Sequence, residues 1–194
     1  MMAAPTRLQT LMQSFGDAAK ASGKGRGPAP VEKWNPPFCG DIDMRVARDG
    51  TWFYGGTPIG RAELVRLFST ILRKDPDRYV LVTPVERVGI AVEDAPFLAV
   101  EMRVEGQGAA RRIAFRTNVE DWTEAGPEHP LRFEHTRAEG LKPYVHVRGG
   151  LEALVKRALV FDLAELAETR VIDGFETTGV WSGGAFFPIG GALA

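Results

Sequence analysis

Short segments of alternating apolar and polar residues, separated by glycine-containing turns, recur along most of this chain. Residues 42–46 alternate apolar and charged side chains, which is the period-two pattern of a half-buried strand. The pair Asp49-Gly50 tolerates the positive φ of a tight turn, and three aromatic strand formers follow at residues 52–54. We therefore predict a β-hairpin over residues 42–54.

The same patterns predict further strands and two helices. Strands are expected over residues 79–82, 85–92, 98–104, 112–116, 131–135 and 144–147, with a hairpin over 175–189 that turns at Gly183-Gly184. Apolar residues at helical spacing predict a helix over residues 64–72 that ends near Lys74. The strongest helical pattern covers residues 151–167, where leucine, valine and alanine recur every three or four positions.

The N-terminal segment combines an amphipathic pattern with a linker. Leu8, Leu11, Met12 and Phe15 have helical spacing, and the glycine- and proline-rich residues 21–30 form the linker. Docking of this helix on its own chain is favoured over a second subunit or a membrane surface, but the pattern leaves all three open.

Several strands with few strand-helix-strand crossovers indicate an α+β fold. We expect an N-terminal helix and linker over residues 1–33, an α+β domain over 34–95 and a second one over 96–194. The turn at Asp94-Ala95-Pro96 is the predicted boundary, because a new series of strands begins at Phe97.

Charge and cysteine content exclude several classes of protein. Among 194 residues, 24 Lys and Arg balance 25 Asp and Glu, and this net charge of −1 argues against nucleic acid and anionic membranes as partners. The single Cys39 excludes an intrachain disulfide and a cysteine-based zinc site. Without an apolar stretch of about 20 residues or a secretory signal, a reducing cytoplasm is the expected location.

Two glycine-rich segments resemble each other. Residues 50–60 and 179–190 each contain Gly-x-Trp, then Gly-Gly, then Pro-Ile-Gly. The similarity suggests an internal duplication of a hairpin unit, although chance resemblance in a glycine-rich chain is an alternative.

A longer, ordered series of short motifs resembles a bacterial, largely proteobacterial family of unknown function. The motifs are Asp41-Ile42-Asp43-Met44-Arg45, Asp49-Gly50-Thr51-Trp52, Gly56-Thr57-Pro58-Ile59, Leu81-Val82-Thr83-Pro84-Val85-Glu86, Val92-Glu93-Asp94-Ala95-Pro96-Phe97 and Pro143-Tyr144-Val145-His146-Val147-Arg148. The resemblance implies two small α+β domains with duplicated motifs. It also implies a C-terminal domain similar to a pleckstrin-homology-like barrel with one long helix, and a role in signalling or ligand binding at the domain interface.

Candidate chemical groups are scattered along the chain. Asp41 and Asp43 lie two apart on a predicted strand, as a paired-carboxylate site requires, but ion pairing with arginines such as Arg45 is favoured. His129 and His135 do not have the spacing of a zinc site. Ser182 lies in Trp-Ser-Gly-Gly, which is better explained by a hairpin turn than by a nucleophile elbow.

We therefore expect a non-enzymatic module that binds a small molecule or a protein in a crevice between the two domains, with no metal or cofactor. The expected site residues are Arg45, Trp52, Tyr54, Glu86, Glu93, Asp94 and Arg148. One alternative is a hydrolase that uses carboxylates at Asp41, Asp43 and Glu93. A second alternative is a nucleic-acid binder that uses Arg111, Arg112, Arg116 and Arg132. The sequence leaves the ligand and the oligomeric state open.

Overall fold

The computed structural model describes residue 13 and residues 28–190, and the chain divides into two compact units with the boundary between Glu93 and Asp94. Both units consist mainly of β-strands, with one short α-helix each in the described residues, so the α+β prediction is confirmed. Apart from residue 13, the predicted helix around Leu8 to Phe15 lies outside the described residues. No helix in the described part of the chain has the length and apolarity needed to cross a membrane.

In its described residues, unit 1 contains six strands and the helix α1, which spans Ala62–Thr70. Its strands are β1 (Phe38–Val46), β2 (Trp52–Tyr54), β3 (Thr57–Pro58), β4 (Leu72–Asp75), β5 (Arg78–Val82) and β6 (Arg87–Val92). They form one sheet in the order β3-β2-β1-β6-β5-β4, in which β1 and β6 are parallel and the other neighbours are antiparallel.

The core of unit 1 lies between this sheet and α1. Trp52 is 1% exposed and stacks on Phe68 of α1, with 6.1 Å between the ring centroids. Val80, Leu81 and Val82 are all fully buried, so strand β5 is covered on both faces. This explains why its sequence is an apolar run rather than an alternation.

Unit 2 contains a larger and a smaller sheet and the helix α2, which spans Arg157–Glu165. The larger sheet has the order β10-β11-β12-β7-β8-β9, from β7 (Phe97–Glu105), β8 (Arg112–Thr117), β9 (Trp122–Glu124), β10 (Leu131–Thr136), β11 (Gly140–Arg148) and β12 (Leu151–Val155). The smaller sheet has the order β13-β14-β15, from β13 (Glu168–Ile172), β14 (Phe175–Ser182) and β15 (Ala185–Pro188).

The two six-stranded sheets have the same topology. In each, the first and last strands of the series lie parallel at the centre, β1 beside β6 and β7 beside β12. Outward from the first strand the order follows the sequence, and outward from the last strand it runs backwards along the sequence. Equivalent hydrogen bonds close the two parallel pairs, from Glu93 N to Val46 O and from Lys156 N to Ala99 O, both at 3.0 Å. One strand topology is thus present twice, at the level of whole sheets.

The sequence similarity between residues 50–60 and 179–190 arises from a shared type of turn and not from the repeated sheet topology. Both segments form hairpins that turn at a Gly-Gly pair with closely similar φ values, 55° and 74° at Gly55-Gly56 and 56° and 77° at Gly183-Gly184. Trp52 precedes its turn by three residues and Trp181 by two, which places them on opposite faces of their hairpins. Moreover, the second hairpin belongs to the small sheet, which lies outside the repeated topology. The two segments therefore share a turn without occupying equivalent positions.

The predicted helix over residues 151–167 is wrong in its first part. Leu151, Ala153 and Val155 are at most 2% exposed and alternate with half-buried residues along strand β12. Taken together with the apolar residues of α2, the apolar residues of β12 include positions three or four apart, and this spacing is also that of a helix. The long helix expected from the resemblance is therefore a strand followed by a helix of nine residues.

The helix expected to end near Lys74 is also shorter than predicted. It ends at Thr70, and residues 72–75 form strand β4. Strands β3, β4, β9, β12 and β13 had no prediction of their own, whereas the hairpins over 42–54 and 175–189 are confirmed. The similarity of the C-terminal domain to a pleckstrin-homology-like barrel stays a prediction.

Candidate functional site

In unit 1, the structure joins two of the predicted residues, Arg45 and Glu93, in an ion pair. Arg45 lies on β1 and Glu93 directly follows β6, and the parallel pairing of these strands brings them together. The second oxygen of Glu93 accepts a hydrogen bond from the backbone N–H of Arg48 at 3.1 Å. The guanidinium carbon of Arg45 lies 4.3 Å from the centroid of the Phe53 ring. We call Arg45, Phe53 and Glu93 the Arg45 site.

In the Arg45 site, the guanidinium group is held in one orientation and is still accessible to solvent. The side chains of Arg45 and Glu93 are 40% and 37% exposed. An arginine held between a carboxylate and an aromatic ring presents further N–H donors in a planar arrangement that matches carboxylate and phosphate oxygens. The arrangement is therefore suited to binding an anionic group.

In unit 2, Asp94 is the acceptor at the centre of a second polar group. Tyr144 donates its hydroxyl hydrogen to Asp94 Oδ1 at 2.8 Å, and the ammonium group of Lys142 donates to Oδ2. The side chains of Asp94 and Lys142 are only 12% and 13% exposed, and Tyr144 is buried. Both carboxylate oxygens of Asp94 are thus bound by side chains of strand β11.

Arg132 on β10 extends this group across the sheet. It is paired with Tyr144 in the strand register, and its guanidinium carbon lies 4.1 Å from the Tyr144 ring centroid. Arg132 also binds Glu152 through two bonds of 3.0 and 2.8 Å, and it contacts Glu134. We call Asp94, Arg132, Lys142, Tyr144 and Glu152 the Tyr144 cluster.

The electrostatics of the Tyr144 cluster stabilise one protonation state. Burial raises the pKa of Tyr144, and the hydrogen bond and negative charge of Asp94 raise it further, against the opposing effect of Lys142. Burial alone lowers the pKa of Lys142, but its bonds to Asp94 and Tyr144 outweigh burial and raise it. At neutral pH the tyrosine is therefore neutral and the lysine charged, so neither is poised to act as a general base.

The remaining predicted site residues have varied surroundings. Arg148 donates to Asp121 at 2.6 Å and lies 5.1 Å from the Phe97 ring. Trp52 belongs to the core of unit 1. Tyr54 is half-buried on β2, opposite Met44, and Glu86 lies in the turn between β5 and β6. The location of the seven residues in a crevice between the domains stays a prediction.

Sequence reasoning missed Phe53, Arg132, Lys142 and Tyr144 as partners in these groups. A signal for two of them was present, because residues 142–148 alternate polar and apolar side chains along most of strand β11. This alternation places Lys142, Tyr144, His146 and Arg148 on one face of the sheet.

The carboxylates Asp41 and Asp43 do not pair with Arg45. Asp41 lies 3.7 Å from Arg78 with its side chain 74% exposed, and Asp43 is exposed. The register of β1 against β6 is irregular between Asp41 and Arg45. Ion pairing was the favoured interpretation, and both Asp41 and Arg45 have partners, but different ones.

His129 contacts His146 rather than His135. The two rings are stacked with their centroids 5.6 Å apart. His146 Nε2 lies 3.1 Å from the N–H of Gly150, from which it accepts a hydrogen bond, and Nδ1 lies 3.1 Å from the carbonyl oxygen of Glu128. Across the described residues, no three His, Cys, Asp or Glu side chains are grouped in a way that could hold a metal ion.

Ser182 has a structural environment. It is fully buried, donates to Ala125 O at 2.7 Å and accepts from Ile113 N at 2.9 Å. Its hydroxyl thus connects β14 to β8 and to the segment that follows β9, in agreement with the hairpin interpretation.

These features define a class: a two-unit α+β protein in which one six-stranded topology occurs twice. Family models match residues 29–95, as "Domain of unknown function (DUF1285), N-terminal domain", and residues 96–189, as "Protein of unknown function (DUF1285), C-terminal domain". The chain belongs to the DUF1285 family, which confirms the resemblance to a family of unknown function.

Two solved structures carry the same family description. A DUF1285 family protein from Silicibacter pomeroyi DSS-3 is 53% identical, with a TM-score of 0.80 over 90% of this chain and 93% of that chain. A DUF1285 family protein from Shewanella baltica OS155 is 27% identical, with a TM-score of 0.51 over 64% of this chain and 91% of that chain. A comparison with curated proteins finds no match.

Proposed function

We propose that this protein is a non-enzymatic cytoplasmic module of a regulatory pathway, and that it binds an anionic small molecule or an acidic group of a protein at the Arg45 site. One observation carries the proposal: Arg45 is held by Glu93 and Phe53, yet its side chain remains 40% exposed. A ligand carboxylate or phosphate can therefore reach the guanidinium without rearrangement of the core.

The energetics of the site favour exchange with a ligand. An ion pair between exposed side chains contributes only about 0–1 kcal/mol to stability, so little is lost when a ligand anion competes with Glu93. The aromatic ring of Phe53 keeps the guanidinium in place during such an exchange. The resemblance of the C-terminal domain to pleckstrin-homology-like domains is compatible with a binding role.

The two alternatives have less support. In a hydrolase based on Asp41, Asp43 and Glu93, the carboxylates would have to act together, whereas Glu93 binds Arg45 and Asp41 lies beside Arg78. The four arginines expected to bind nucleic acid each have a carboxylate partner that competes with phosphate. The pairs are Arg111 with Glu168, Arg112 with Glu124, Arg116 with Glu101 and Arg132 with Glu152.

Thermal unfolding with a panel of anions tests the proposal. The probes are inorganic phosphate, nucleoside monophosphates and diphosphates, and dicarboxylates, each measured with the wild type, Arg45→Ala and Arg61→Ala. Arg61 is the matched control, because it is an exposed arginine of the same unit that precedes α1.

We expect at least one probe to raise the Tm of the wild type and of Arg61→Ala, but not of Arg45→Ala. A ligand at a hundred times its Kd stabilises the native state by about 2.7 kcal/mol, which such an experiment resolves. The proposal is overturned if no probe raises the Tm, or if Arg45→Ala keeps the full shift.

A further inference from the structure

The small sheet of unit 2 has a face rich in aromatic side chains. The register of β13, β14 and β15 places Arg170, Ile172, Phe175, Trp181 and Phe186 on this face. Trp181 and Phe186 pack edge to face, with centroids 5.3 Å apart. We call these five residues the aromatic face.

The aromatic face ends in an exposed hairpin tip. Phe175 is 75% exposed, and Val171, on the opposite face of the same hairpin, is 70% exposed. Between the two strands, Asp173 and Gly174 have φ values of 51° and 84°, which fit a tight two-residue turn. Large apolar side chains on both faces of a hairpin tip leave apolar surface available for a partner.

Arg170 supplies a positive charge on this face. Its guanidinium carbon lies 4.6 Å from the Trp181 ring and 5.5 Å from the Phe186 ring. Among the described residues it has no carboxylate partner, whereas Glu168 on the same strand binds Arg111. The charge is therefore oriented by two aromatic rings and available to an acidic group.

Strand β13 is also an edge of its sheet. It pairs with β14, and its other side has no strand partner in the described part of the chain. Thr169, Arg170 and Val171 are exposed, and no proline interrupts the strand. Such an edge can accept another strand through backbone hydrogen bonds.

We propose that β13 is a docking edge for an extended segment of a partner protein, which adds as a fourth strand. An acidic side chain of that segment pairs with Arg170, and an apolar side chain packs on Ile172 and Phe175. The acidic residues Asp173 and Glu176 at the tip disfavour an anionic membrane as the occupant. This surface does not depend on the proposed function of the Arg45 site.

Peptide binding followed by two-dimensional NMR of the ¹⁵N-labelled protein tests the inference. The probes are a peptide with a glutamate and a valine two positions apart, so that both side chains lie on one face of the added strand, the same peptide with lysine for glutamate, and the acidic peptide with alternate backbone nitrogens methylated. The variants are Arg170→Glu, Phe175→Ser and the control Arg137→Glu, which changes an exposed arginine outside the small sheet. Vesicles containing phosphatidylserine are tested in parallel.

We expect the acidic peptide to shift the amide signals of residues 169–172 and the indole signal of Trp181, with at least tenfold weaker binding for the other two peptides. Arg170→Glu reverses the preference between glutamate and lysine, Phe175→Ser weakens binding, and Arg137→Glu behaves as the wild type. Because Phe175 is 75% exposed, its replacement leaves the fold intact. Any of four results overturns the inference. The protein binds the glutamate and lysine peptides equally well, it binds the methylated peptide tightly, it binds none of the peptides, or it binds the vesicles instead.

Discussion

The hydroxyl of Tyr144 donates a hydrogen bond to Asp94 at 2.8 Å, and this bond ties the first residue of unit 2 to its strand β11. Lys142 binds the other oxygen of the same carboxylate. The three side chains are nearly buried, so the bonds between them are shielded from water.

Alkaline pH is therefore expected to destabilise the protein through this cluster. The pKa of Tyr144 and that of Lys142 are both raised in the folded state. Their contribution is complete below the ordinary pKa values of about 10 and is lost as the pH rises above them, because the folded state binds these protons more tightly.

Tyr144→Phe removes the contribution of the tyrosine to this pH dependence and leaves that of Lys142. We expect its free energy of unfolding at pH 7 to fall by about 1–3 kcal/mol, because Asp94 loses a buried hydrogen bond. We also expect a shallower decline between pH 9 and 11 than in the wild type, measured by urea denaturation at each pH. Tyr54→Phe, at a half-buried position of β2, is the control and is expected to stay within about 0.5 kcal/mol of the wild type at pH 7. An unchanged slope in Tyr144→Phe would contradict the role assigned to Tyr144.

Ser182→Ala is expected to destabilise the protein by about 1–3 kcal/mol. The substitution leaves the buried N–H of Ile113 and the carbonyl oxygen of Ala125 without the hydroxyl that binds both. Thr177→Ala, on the same strand, removes only a weak bond of 3.4 Å at the surface and should lie within about 0.5 kcal/mol of the wild type. Equal urea midpoints for the two variants would refute this explanation.

Gly179→Ala is expected to disrupt the pairing of β14 with β15. A Cβ at this position would lie 2.5 Å from the carbonyl oxygen of Phe187 and 2.7 Å from the Phe186 ring. Such overlap costs about 1–3 kcal/mol, and the backbone atom cannot move away as a flexible side chain would. Gly60→Ala, with no atom within 4 Å of the new Cβ, is the control. Calorimetric Tm values that do not separate the two variants would show that the hairpin tolerates the extra methyl group.

Much of the local structure follows from the sequence. The Asp49-Gly50 and Gly183-Gly184 turns and the alternating residues around them predict two hairpins, and both are present. A hairpin joins neighbouring segments, so its turn residues and its apolar pattern are read within one short stretch. Residues 151–155 show the limit of this reading, because a buried strand next to a helix gives an apolar spacing that suits either element.

The candidate site was predictable only in part. Arg45 and Glu93 were expected at a site, but their pairing depends on β1 and β6, whose residues are almost 50 positions apart. The contribution of Phe53 follows from its position beside Arg45 in the antiparallel register of β1 and β2. To predict such contacts, one must know which strands are neighbours, and composition and periodicity do not give that information.

The sequence by itself determined the α+β class, the positions of most strands and the glycine turns, because these depend on local backbone preference and on which side chains leave water. The tertiary structure alone decided that β1 lies parallel to β6 and β7 to β12, and hence that one topology is built twice. It also decided that Arg170 lies on aromatic rings at an open sheet edge. The physical reason is that parallel pairing and side-chain clusters form between distant segments, and their energy depends on how the whole unit packs.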